Sequence, residues 1–136
     1  AVAFGEKMVL MHRFEPEEAM RLIAAERING MGGVPTIVWQ IVEHPARGNY
    51  DLSSIDGVGY GGAAAGPARV ERIRAVFPKA IPTTGWGMTE TTATFTSVMG
   101  EDYVAHPASC GLALPVNAMR VVGADGRDVP AGTPGE

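Results

Sequence analysis

The chain has 136 residues, and its 11 lysines and arginines against 15 aspartates and glutamates give a formal net charge of −4. The acidic balance argues against a general nucleic-acid binder, which needs a basic surface. The single cysteine, Cys110, excludes an intramolecular disulfide and a multi-cysteine zinc site. No apolar run approaches the roughly 20 residues of a membrane span. No signal-peptide segment opens the chain, so we expect a cytoplasmic protein.

Glycine and proline are unusually frequent, with 18 glycines and 10 prolines, well above the usual combined share of about 12%. Either the chain is rich in loops or its glycines let the backbone approach a ligand closely. The chain begins at Ala1 without a methionine and stops at Glu136 with no helix or strand closing it. We therefore expect a segment of a longer protein.

Hydrophobic periodicity and turn residues predict an alternation of short strands and helices. The predicted strands cover 7–11, 28–33, 55–60 and 80–84, and the predicted helices cover 16–27, 35–44 and 67–77. Residues 100–117 are predicted to be mostly loop, and 119–126 to start a β-hairpin. Repeated strand–helix units predict an α/β fold with a mostly parallel sheet and flanking helices.

Two motifs suggest chemistry that their context does not support. Residues 57–62 match the dinucleotide pattern G-x-G-x-x-G, but the glycines overlap the predicted strand and no acidic residue follows about 20 positions later. The histidines His12, His44 and His106 lie far apart and form no metal-binding pair on one helix face. A Rossmann site and a histidine-based metal site are therefore disfavoured.

The segment Gly85-Trp86-Gly87-Met88-Thr89-Glu90 directly follows a predicted strand. Small residues let backbone groups reach a ligand, and a tryptophan face can cover an aromatic ring. A threonine hydroxyl can bond a phosphate, and a carboxylate is an oxygen ligand that Mg²⁺ prefers. The residues alone fit a nucleotide site, and they also fit a tight turn with a core tryptophan.

This segment resembles the aromatic-Gly-x-Thr-Glu motif of the adenylate-forming enzymes, which include acyl-CoA synthetases, luciferases and amino-acid adenylation domains. Upstream, Tyr60-Gly61-Gly62-Ala63-Ala64 is similar to their Ser-Gly-Gly-Ala-Pro loop. Further similarities follow in the family's order, and within the family the chain looks most like the fatty-acyl-CoA synthetases. These further similarities lie at 34–36, 51–54, 109–115, 125–126 and 132–136.

The resemblance implies how an adenine would be bound. Gly61, Gly62 and Ala63 would form a backbone wall between the adenine and the acyl chain. Trp86 would cover the adenine from the other side, and Gly85 would lend a carbonyl to the adenine amino group.

The same resemblance implies phosphate, metal and acyl contacts. Thr89 would bond the α-phosphate of ATP and Glu90 would ligate Mg²⁺, which makes these two the candidate catalytic residues. Gly62, Gly87 and Met88 would line the acyl tunnel.

Three residues depart from the family pattern. Trp86 stands where most members have tyrosine, and Ala64 replaces the usual proline. Tyr60 replaces a small serine, and its bulk would either narrow the site or face the sheet.

The reaction implied for the parent enzyme uses ATP, a carboxylic acid and coenzyme A. Residues 1–136 would be part of the large N-terminal AMP-binding domain, truncated at both ends. The family's phosphate loop, its ribose-binding acid and its C-terminal domain would lie in missing parts of the same polypeptide, so we expect the segment alone to be inactive. Three alternatives stay open: an aryl-CoA ligase, an amino-acid adenylation domain and a non-catalytic α/β binding module.

Overall fold

The computed structural model describes residues 4–63 and 66–136. The helices are α1 (Pro16–Glu26), α2 (Pro35–Val42), α3 (Pro67–Val76) and α4 (Gly100–Ala105). The strands are β1 (Gly30–Gly33), β2 (Gly57–Gly61), β3 (Ile81–Met88), β4 (Ala93–Met99) and β5 (Leu112–Ala113). Short 3-10 helices cover Arg47–Asn49 and Thr89–Thr91.

The three predicted helices begin at their prolines, as expected for a residue that lacks an N–H to donate. The Glu15 carboxylate caps α1 by accepting a hydrogen bond from the Glu17 amide at 3.0 Å. α1 ends at Arg27, whose φ of 51° lies in the left-handed region typical of helix termini. Local signals therefore fix the start of this helix, whereas its end carries no glycine that would mark it in the sequence.

The five strands form one sheet in the order β1-β2-β3-β4-β5. The pairs β1–β2 and β2–β3 are parallel, with α2 and α3 as their crossovers, whereas β3–β4 and β4–β5 are antiparallel. The predicted α/β fold with flanking helices is confirmed. The antiparallel half arises because the chain reverses tightly after β3 and returns beside it.

Four local predictions can be compared with the structure. Residues 7–11 form no strand, because no described strand lies beside them and Leu10 projects into solvent. Residues 100–105 form α4, where a loop was expected, and β3 runs four residues beyond the predicted end at 84. The hairpin start is present as an antiparallel bridge between Val122 and Asp128.

The two faces of the sheet differ in what covers them. On one face Val58 and Tyr60 of β2 pack into the core with α1, α2, α3 and α4. On the other face the in-register residues are mainly glycines and partly or fully exposed side chains, and we call this the open sheet face. Its members on β2 to β5 are Gly57, Gly59, Gly61, Ile81, Thr83, Gly85, Ser97, Met99 and Leu112.

Within the described part of the chain, every helix is too short or too polar to cross a bilayer.

Candidate functional site

The carboxyl ends of β2 and β3 bring together two segments that are far apart in the sequence. Gly61, the last residue of β2, pairs directly with Gly85 of β3. A Cβ added to Gly61 would lie 3.4 Å from the Gly85 carbonyl oxygen, so the two backbones are in close contact here. Gly62 follows with φ of 77°, a conformation that glycine adopts without strain. Exposed Ala63 completes the predicted wall.

The glycines around Trp86 are required by the neighbouring strand. A Cβ on Gly85 would lie 2.5 Å from the Thr96 carbonyl oxygen, and a Cβ on Gly87 would lie 1.9 Å from the Ala93 carbonyl oxygen. The β3–β4 register shifts between Trp86 and Gly87, as at a β-bulge. Close packing of β4 therefore explains both glycines without a ligand, which is a reason that the sequence did not reveal.

Trp86 is 45% exposed at the rim of this edge. Its ring meets Phe95 edge to face, with centroids 6.0 Å apart and planes at 80°. Its backbone N–H donates to the Thr96 hydroxyl oxygen at 3.3 Å. The residue is thus held by its backbone and one ring contact, and much of the indole surface stays available to a planar ligand.

Thr89 and Glu90 lie on the 3-10 helix that follows β3, and both are exposed. Thr91 holds this turn: its hydroxyl oxygen accepts from the Met88 amide at 3.0 Å and lies 3.1 Å from the Ala93 carbonyl. Thr92 and Ala93 then have φ of 58° and 82°, a costly conformation for residues with a Cβ. The turn thus presents a hydroxyl and a carboxylate side by side just beyond the sheet.

Tyr60 faces the helices and does not narrow the predicted site. Its side chain is buried, and its hydroxyl oxygen lies 2.6 Å from that of Tyr103 on α4. Burial, helped by this hydrogen bond, raises the pKa of Tyr60 well above its usual value. Of the two orientations considered for this departure from the family pattern, the structure shows the inward one. Ala64 lies outside the described residues.

Sequence reasoning assigned no role to Thr91, Thr96 and Tyr103, which shape this edge through hydrogen bonds. The threonine-rich composition of 89–96 was visible, but their partners come from β3 and from the loop at Cys110. Cys110 itself is an exposed free thiol. In the described ranges no three His, Cys, Asp or Glu side chains gather as metal ligands.

The resulting arrangement is an α/β sheet with small residues, an exposed indole, a hydroxyl and a carboxylate at the carboxyl ends of two adjacent parallel strands. This edge is where α/β proteins bind ligands, and the side chains suit a ligand with an aromatic ring and phosphates. The fold and site thus have the character of a nucleotide-binding α/β domain.

Comparison with known proteins gives the family. Residues 1–136 match the family model described as AMP-binding enzyme. 4-Coumarate–CoA ligase-like 9 of Arabidopsis thaliana is 30% identical over 137 residues, covering 100% of this chain and 24% of that protein. The medium/long-chain-fatty-acid–CoA ligase FadD8 of Mycobacterium tuberculosis is 30% identical over 134 residues, covering 97% of this chain and 23% of that protein. The chain therefore belongs to the AMP-binding enzyme family.

A solved structure confirms the fold. O-succinylbenzoate coenzyme A synthetase from Bacillus subtilis, in complex with ATP and magnesium ion, matches with a TM-score of 0.83 and 22% identity. The match covers 99% of this chain and 27% of that one. The chain spans about a quarter of the length of the curated relatives it matches.

Proposed function

We propose that these residues form one wall of the adenylate site of an AMP-forming acid–CoA ligase, as part of a larger N-terminal domain. The observation that supports the proposal is the pairing of Gly61 with Gly85, since it brings the segment Gly61-Gly62-Ala63 next to the strand that carries Trp86. Membership of the AMP-binding enzyme family supports ligase chemistry with ATP.

The adenine would lie between the wall and the indole. Gly61, Gly62 and Ala63 contribute backbone and a single methyl group, so a flat ring can approach closely from that side. The half-exposed Trp86 would cover the ring from the other side, and the Gly85 carbonyl would accept from the adenine amino group.

The phosphates would lie over the turn after β3. The Thr89 hydroxyl would donate to an α-phosphate oxygen. Glu90 would ligate Mg²⁺, an ion that proteins commonly bind through one or two carboxylates together with substrate phosphates. When bound, the ion supplies positive charge that offsets the charge developing on the phosphate oxygens. Both side chains are exposed on a turn braced by Thr91, which fits this donor set.

The chemistry proposed for the whole ligase has two steps. A carboxylate oxygen of the acid attacks the α-phosphorus of ATP, and the bond to pyrophosphate breaks to leave an acyl-adenylate. The thiolate of coenzyme A then attacks the acyl carbonyl carbon and AMP leaves. The first step needs alignment and charge stabilisation more than proton transfer, so the residues of this edge act by orienting the nucleotide.

The acid is proposed to be apolar, with a fatty acid as the first choice. Gly62, Gly87 and exposed Met88 would line its channel beside the open sheet face. An aromatic acid is the second candidate, because the relatives include a 4-coumarate–CoA ligase-like protein as well as a fatty-acid–CoA ligase. A panel of fatty, cinnamic and amino acids in a pyrophosphate-release assay separates these classes, and turnover of amino acids alone would overturn the choice of acid.

The test of the site is ATP–pyrophosphate exchange by the full-length ligase that contains these residues. We expect Glu90→Gln to reduce exchange by at least about 100-fold, because a group that acts on the phosphates in the transition state is lost. Glu101→Gln, a matched change at another exposed glutamate, should leave exchange unchanged. Equal activities for the two variants would contradict the proposal, as would robust exchange by the isolated 136-residue chain.

A further inference from the structure

We propose that Tyr60 and Tyr103 are positioning residues whose hydrogen bond fixes the carboxyl end of β2, and with it the Gly61-Gly62-Ala63 wall. The proposal rests on the proposed function, since it assigns the pair to the adenine wall of that site. Both tyrosine side chains lie in the core on the helix-covered face of the sheet, so they act through the backbone that they hold.

The contact between the two tyrosines is close and buried. Their hydroxyl oxygens are 2.6 Å apart, and their rings meet at 62° with centroids 5.9 Å apart. Tyr103 is almost fully buried on α4, and Tyr60 is buried in the same core. Each hydroxyl satisfies the other, so removing one leaves its partner buried without a hydrogen bond.

The only side chain of the wall is the methyl group of Ala63, which can form no hydrogen bond to anchor it. Gly61 and Gly62 are the most flexible residue type, and Gly62 is held at φ of 77°. Tyr60 is the last residue of β2 with a side chain, and it directly precedes them. Its carbonyl oxygen also accepts a hydrogen bond from the Thr84 hydroxyl at 3.2 Å. Tyr60 is therefore held through its ring by α4 and through its backbone by β3.

The pair also connects the two halves of the sheet. α4 directly follows β4, in the antiparallel half, and packs on β3 and β4. Through Tyr103 it reaches across to β2, in the parallel half. The end of β2 is thus tied to α4 behind the sheet as well as paired with β3 beside it.

The test uses Tyr103→Phe in the full-length polypeptide, a change that keeps the ring and removes one hydroxyl. Tyr50→Phe is the matched control, because it removes a tyrosine hydroxyl bonded to Glu17 at 2.8 Å on an exposed surface away from β2. We expect Tyr103→Phe to speed hydrogen–deuterium exchange in peptides covering 57–63 by about fivefold, the effect of one lost buried hydrogen bond. The KM for ATP should rise more than kcat falls.

The reciprocal change and the double variant sharpen the result. Tyr60→Phe should change exchange at 57–63 and the KM for ATP in the same way as Tyr103→Phe. The free-energy effect of the double variant should be smaller than the sum of the two single effects, because no hydroxyl is then left unpaired. Tyr50→Phe should leave both exchange at 57–63 and the KM for ATP unchanged.

Three outcomes overturn the proposal: unchanged exchange at 57–63, faster exchange spread evenly over the whole sheet, or faster local exchange with an unaltered KM for ATP in an active ligase. A polypeptide that shows no ATP-dependent activity before mutation would refute the proposed function instead. In that case local exchange at 57–63 still decides whether the tyrosine pair holds the end of β2.

Discussion

At the scale of single residues, Thr96 shows how one hydroxyl can hold two backbone segments. It is 1% exposed. Its hydroxyl oxygen accepts from the Trp86 amide at 3.3 Å, and its O–H donates to the Cys110 carbonyl oxygen at 2.7 Å. One side chain on β4 therefore positions both the strand that carries the indole and the loop before β5.

We predict that Thr96→Val lowers the free energy of unfolding by about 1–3 kcal/mol, because valine keeps the shape but leaves two partly buried backbone groups short of a partner. Urea denaturation followed by circular dichroism measures this change. Thr94→Val, at an exposed position of the same strand, is the control and should be close to neutral. Equal stability of the two variants would show that the Thr96 bonds contribute nothing net.

At the scale of elements, the close approach of β3 and β4 depends on glycines, which have no side chain, at particular positions. Gly87 has the Ala93 carbonyl where a Cβ would stand, whereas Gly59 on β2 has no atom within 4 Å of that point. The two glycines are alike in sequence context, each lying inside a strand near an aromatic residue. They differ only in how closely the backbone of the neighbouring strand approaches the point where a Cβ would stand.

We predict that Gly87→Ala forces β4 away and costs more than about 2 kcal/mol of unfolding free energy, as for other backbone clashes. Gly59→Ala should be tolerated or slightly stabilising, because alanine restricts the unfolded chain. Thermal unfolding of both variants in parallel tests the difference. A Gly87→Ala protein as stable as Gly59→Ala would contradict the close approach of β4.

At the scale of the whole molecule, the open sheet face leaves apolar side chains in water. Ile81, Met99 and Leu112 are each more than half exposed there, and Leu112 reaches 81%. Exposed apolar patches and uncovered strands favour association. The larger domain proposed above would cover this face.

We therefore expect the 136-residue chain to associate as its concentration rises, with a sedimentation coefficient that increases accordingly. Leu112→Lys should shift the chain toward monomer, because a charge resists burial between copies. Val116→Lys, at an exposed apolar residue outside the open sheet face, should have less effect. A chain that stays monomeric at high concentration would refute this expectation.

The sequence by itself determined the features that depend on neighbouring residues. Prolines at 16, 35 and 67 start the three long helices, and apolar spacing within each helix decides which side is buried. The order of glycine and threonine motifs was enough to suggest the family, which the comparisons confirm. The roles of Thr89 and Glu90 remain predictions.

The tertiary structure decided what depends on distant partners. Residues 7–11 form no strand because a strand needs a neighbour to bond with. Tyr60 lies on the same face of β2 as buried Val58, and its hydroxyl finds a buried partner only because folding brings Tyr103 to it. Gly85 and Gly87 are required where β4 passes. In each case the deciding atom belongs to a residue that only folding brings near, so no local pattern in the chain could reveal it.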